Sequence, residues 1–148
     1  MNQEDISKFN SIKDNYSNCY DTLKKRNSDA LSLVNNYPTA FVKFYMLNTE
    51  IRQPIREIER LIIETDKLFY SGVFEKCGSN LENCIKTINK IIDNTLRQIE
   101  LVKSVANKIE NDSDAEELLE YEIRLTNELV VFKEFKESIS RLKEHTIS

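Results

Sequence analysis

Glycine and proline are almost missing from this chain: there are two of each in 148 residues, with no tryptophan and a single histidine. Average usage is roughly 12% for Gly and Pro together, so turns here are few and the elements between them long. That scarcity excludes most sheet architectures, which need a turn after every short strand. With only Gly72 and Gly78 available, no phosphate-cradling glycine loop and no strained nucleophile elbow can be assembled. The lone His145 lies close to the C-terminal end of the sequence. No histidine is left for a metal site between helices, or for a base beside a Ser or Cys nucleophile. We therefore expect no metal, no cofactor, no small-molecule substrate and no catalysis.

Other absences narrow the surroundings. Apolar runs such as Leu129 to Phe132 are short, far below the roughly 20 residues needed to span a bilayer. The acidic opening Met1 to Asp5 is followed by no apolar segment, so neither a signal peptide nor a transmembrane segment is expected. Cys19, Cys77 and Cys84 are odd in number and widely spaced, which predicts free thiols in a reducing compartment and a cytoplasmic location. The Asn-x-Ser matches at Asn15 and Asn111 are then expected to stay unmodified. Lys plus Arg number 21 against 25 Asp plus Glu, for a net charge of -4. Without a large basic field, nucleic acid is not an expected partner.

What the chain does have is heptad order. From Asn80 to Glu110, Leu81, Ile85, Ile88, Ile92, Thr95, Ile99, Val102, Ala106 and Ile109 recur at spacings of four and three, which predicts one long helix. Cys84, Ile91 and Val105 widen the stripe and Gln98 interrupts it. Such width suits two neighbouring helices rather than an isolated two-stranded coil. Upstream, Ile51, Ile55, Ile58, Ile62, Thr65 and Phe69 repeat the pattern across Pro54 without a slip of phase. A continuous but kinked helix starting near Pro38 is predicted. Residues 71 to 79, with both glycines, read as a turn.

Ser113 and Glu116 form an S-x-x-E capping box, predicting a last helix from about Asp114. Its stripe of Leu118, Tyr121, Leu125, Phe132, Phe135, Ile139 and Leu142 is narrow and is broken by Glu128, which places this helix at the bundle's edge. The first segment, Ser7 to Val34, gives Phe9, Ile12, Tyr16, Cys19, Leu23, Ala30 and Leu33 with Arg26 breaking the order, and fraying is expected at Asn27 to Asp29. The expected fold is all-α, an antiparallel up-and-down four-helix bundle with long heptad-patterned helices, occupying residues 1 to 148 as a single domain.

Two surface features exceed this background. Glu110, Asp112, Asp114, Glu116, Glu117, Glu120 and Glu122 place seven acids in thirteen residues, and the whole net charge lies in residues 111 to 148. Acids at a helix N-terminus complement its dipole, which accounts for the first few; the others suit a basic partner surface. Tyr37, Phe41, Phe44 and Tyr45 crowd aromatic groups onto more than one face of a short stretch. They serve either as the plug of a bundle end or as a contact patch. The expected function is a non-catalytic interaction subunit or adaptor docking through a helix face onto another protein, or onto itself. The alternative is a small acidic inhibitor, an immunity protein or antitoxin, masking a basic partner.

Overall fold

The heptad stripes close on one another around a single hydrophobic core. A computed structural model describes residues 3–73 and 75–146, and the side chains of His145 and Thr146 lie outside the described set. Among the described residues five helices follow one another: α1 (Gln3–Asn36), α2 (Val42–Thr49), α3 (Arg52–Ser71), α4 (Glu75–Lys108) and α5 (Asp112–Thr146). The short α2 and α3 share one arm, so the architecture is a four-armed all-α bundle. Paired residues give the directions. Phe9 meets Phe69 and Lys13 meets Asp66. Asn94 meets Leu47, Lys103 meets Glu122, and Glu82 meets Lys143. On α1 and α5, Cys19 meets Val131, Arg26 meets Glu128, and Asp29 meets Arg124. In every case numbers rise along one helix as they fall along the other, so neighbouring arms run antiparallel.

Several boundaries differ from the sequence reading. The second arm begins at Val42 rather than Pro38, because residues 37 to 41 form the turn out of α1. Phe41 N–H reaches Tyr37 O at 3.1 Å and Tyr45 N–H reaches Phe41 O at 3.0 Å. The arm is not one continuous helix across Pro54: it divides into two helices at Glu50 and Ile51, both with right-handed helical backbone. A proline has no N–H for the carbonyl four residues back and its ring crowds that carbonyl. The chain answers with tighter i to i+3 bonds, Glu50 N–H to Leu47 O and Ile51 N–H to Asn48 O. Asn94 and Gln98, one turn apart on α4, donate to the carbonyls of Leu47 and Phe44 at 2.8 and 3.3 Å, which steadies the junction.

The turn between α3 and α4 is shorter than residues 71 to 79, since Gly78 lies inside α4. Gly72 stops α3 with φ of 72°. The Val73 N–H returns to Leu68 O and the Gly72 N–H to Phe69 O, a double bond pattern that requires a left-handed residue there. The last helix starts at Asp112, capped by Asn111, whose Oδ1 accepts from the Asp114 N–H at 3.1 Å; Ser113 is therefore inside the helix and the capping box is not its start. Residues Asn27 to Asp29 are helical rather than frayed. Nor does α5 lie at an edge: it packs against α4 and α1 and buries Leu118, Phe132, Phe135, Ile139 and Leu142 completely.

The residues that break the heptads meet inside the bundle. Arg26 of α1 has no exposed surface; its Nε donates to Glu128 of α5 at 2.9 Å and its Nη1 to Thr95 and Gln98 of α4 at 2.9 and 3.0 Å. Gln98 passes a bond to Asn48 at 3.3 Å, and Asn48 another to Asn27 at 2.6 Å. All four arms thus contribute to one polar layer. Burial pushes the Glu128 carboxyl up against the pull of Arg26, and pushes the Arg26 guanidinium down from its usual value.

Candidate functional site

The turn from α1 into α2 and the link from α4 into α5 lie at the same end of the bundle, because arms one and three both point that way. This brings the aromatic and acidic features of the sequence together. Tyr37, half-buried, faces Asp114 and Glu117. Its hydroxyl is pushed up to about 12, first by partial burial and then by those two carboxylates. Its ring lies 5.7 Å from Phe41, which in turn meets Phe44 edge-on at 5.8 Å. Phe41 and Phe44 are buried in the core. Phe41 is therefore a plug of the bundle end and is not available to a partner, which corrects its place among the surface candidates. Tyr45 is half-buried against the same core.

Of the acids, Glu110, Asp112, Glu116, Glu117 and Glu120 are exposed and Asp114 is half-buried. Glu122 reaches Lys103 of α4 at 3.8 Å. Glu110, Asp112, Glu116 and Glu120 have no ion-pair partner among the described residues. Their charge faces solvent.

The feature that sequence reading missed lies along the outside of α5. Leu119, Ile123 and Val130 are 47%, 62% and 50% exposed, and with Thr126 they repeat at spacings of four, three and four. At 3.6 residues per turn this stripe points roughly 160° away from the buried stripe of the same helix. Thr126 donates its hydroxyl to Glu122 O at 2.9 Å, so its polar group is satisfied within the helix. Glu116 and Glu120 flank the stripe at one end, and Lys133 continues it at the other. The signal was present in the sequence as a second, 4-3-4 spacing beside that of the core stripe.

The surface also carries clefts and grooves. A cleft of about 310 Å³ opens between α1 and α3, floored by Leu23, Ile51 and Ile55 and rimmed by Lys24, Arg52, Arg56 and Glu59. A shallower apolar groove between α2 and α4 runs past Leu47, Leu96 and Leu101. Among the described residues no group of three or more His, Cys, Asp or Glu side chains is placed to hold a metal ion, and no helix is long and apolar enough to cross a membrane. His145, the single histidine, has its side chain outside the described residues.

The chain matches no family model, no curated protein and no solved structure.

Proposed function

We propose that this chain is a non-catalytic protein-protein interaction subunit that docks through the outer face of α5. The observation that carries this reading is the second apolar stripe of Leu119, Ile123, Thr126 and Val130, directly opposite the stripe that builds the core. A helix needs one apolar face to hold its place in a bundle. A second face of three turns adds nothing to the fold and exposes apolar area to water, and such patches mark contact surfaces. The acidic flank at Glu116 and Glu120 supplies steering and orientation. Three buried free thiols, Cys19, Cys77 and Cys84, support a reducing compartment such as the cytoplasm.

A photo-crosslinking amino acid placed at Ile123, with exposed Lys90 of α4 as the control position, tests the reading in cells of the source. Protein adducts at 123 and none at 90 support it. Equal or absent adducts at both positions sink it.

A second reading, the acidic inhibitor, draws on the free carboxylates Glu110, Asp112, Glu116 and Glu120 gathered at one end. Reversing Glu116, Glu117 and Glu120 to Lys would slow association with a basic partner and reduce its salt dependence, because such charges act through a field screened over roughly 8 Å. Unchanged on-rates would leave those acids as solubilising surface.

A further inference from the structure

We infer that the occupant of the outer α5 face is a second copy of this chain, docked antiparallel across a two-fold axis. This rests on the docking role proposed for that face and names its partner. The argument is a symmetry in the order of residues. Leu119, Ile123, Thr126 and Val130 read the same in both directions by spacing, so a second α5 laid antiparallel over the first sets Leu119 on Val130 and Ile123 on Thr126, each contact occurring twice. A two-fold interface requires this self-complementarity: if residue i touches residue j of the other copy, j must touch i.

Charge chooses the same arrangement. One step beyond the apolar layers the seam carries Glu116 at one end and Lys133 at the other, and the antiparallel register sets Glu116 on Lys133 of the second copy, twice. Both side chains are exposed and have no ion-pair partner among the described residues. The contact from Glu116 to Lys133 spans roughly 27 Å at 1.5 Å per residue. More broadly, residues 111 to 122 hold six carboxylates and no cation, while residues 123 to 148 hold five cations and four carboxylates. In this register residues 111 to 122 lie opposite residues 127 to 138, which hold Lys133 and Lys136 beside Glu128, Glu134 and Glu137, so the complementary pair on the seam is Glu116 with Lys133. A parallel pair would set Glu116 on Glu116 and Lys133 on Lys133. A slip of one heptad would press Glu116 against Thr126 and Asp112 against Val130. The seam also has a defined end, since the next layer sets Asp112 opposite Glu137, which already holds Arg141 at 2.6 Å.

Sedimentation velocity of the purified full chain over roughly 1 to 200 µM tests the inference in the concentration range where weak dimers form. Wild type is expected to approach twice the 17.4 kDa chain mass. Ile123→Lys should weaken association at least about tenfold while leaving the helical circular dichroism and the melting of dilute, monomeric protein unchanged, because the side chain is 62% exposed in the single chain. Glu116→Lys and Lys133→Glu should each weaken association several-fold, roughly threefold to tenfold. The double variant should regain wild-type association within about twofold, since each exchanged charge again faces its opposite. A monomer at every concentration overturns the inference, as does a double variant no stronger than either single one. A monomeric protein that still forms adducts from position 123 in cells would retain the docking role and transfer the face to a different protein. A monomer without such adducts would remove both.

Discussion

Arg26 and Glu128, on the two helices α1 and α5, lie 2.9 Å apart inside the bundle, and each is the residue that breaks its own helix's apolar stripe. They are not equal partners. The Arg26 side chain has no exposure and the Glu128 side chain retains 14%. A guanidinium cannot shed its proton in a protein, whereas the Glu128 carboxyl is already pushed up by burial and can neutralise.

Removing the acid should therefore cost more than removing the base. Glu128→Leu leaves a permanent charge in the core next to the Phe132 ring, 5.3 Å away, and is expected to destabilise by roughly 3 to 5 kcal/mol. Arg26→Met leaves a carboxyl that takes up a proton, so its loss should be smaller. The double variant Arg26→Met with Glu128→Leu should recover most of the stability, or exceed wild type, because no charge is buried. Urea denaturation of the four proteins gives the cycle. Equal losses for both single variants would contradict the asymmetry.

The two stripes of α5 and the core stripe of α4 offer a direct comparison of position. Ile88 is completely buried and Ile123 is 62% exposed. Ile88→Asp should destabilise by roughly 4 kcal/mol or more, a large share of a total stability of about 5 to 15 kcal/mol. Ile123→Asp should change the melting of the single chain by less than about 0.5 kcal/mol. Thermal unfolding followed at 222 nm, in dilute protein, compares them.

The four arms and their core faces were legible because spacing alone decides which side of a helix is apolar. The exceptions were legible only as exceptions. Arg26, Gln98 and Glu128 each interrupt a stripe, but what joins them is the register between helices, which no single helix records. Pro54 announced a bend. The split at Glu50 and Ile51 depends on carbonyls that Asn94 and Gln98 bind from α4, a tertiary fact. At the candidate surface the acids were visible from composition, while the outer stripe of α5 was masked by the stronger inner one. Phe41 misled because an aromatic cluster has the same sequence whether it plugs a bundle or faces water.

Alkali should unfold this protein earlier than its ion pairs alone would dictate. Burial pushes the thiols of Cys19 and Cys84 from 9.0 up to about 12, and Tyr37 rises from 10.0 to about 12. In each case the fold holds a proton that the unfolded chain releases sooner. The stability contributed is fully present below about pH 9 for the thiols, and below about pH 10 for Tyr37. It is lost as pH rises toward 12. Urea midpoints in steps from neutral pH upward should fall across that window, and Cys19→Ala with Cys84→Ala should flatten the decline. An identical slope in the double variant would assign the alkaline loss to other groups.

The start of α5 supplies the last test, because two residues compete for the role of cap. Sequence spacing favours Ser113, three residues before Glu116, whereas Asn111 Oδ1 accepts the Asp114 N–H at 3.1 Å and the Asn111 carbonyl accepts from Ala115 at 3.0 Å. A cap satisfies an amide that the helix cannot, and its loss costs about 1 kcal/mol. Asn111→Ala should thus lower the melting temperature by about 2 to 4 °C for a chain of this size. Ser113→Ala, inside the first turn, should stay within about 0.5 kcal/mol of wild type. Asp112 and Asp114 remain in both variants and keep their favourable interaction with the helix dipole, so the difference isolates the hydrogen bond. If Ser113→Ala melts lower than Asn111→Ala, the helix begins two residues later and the acidic run starts outside it.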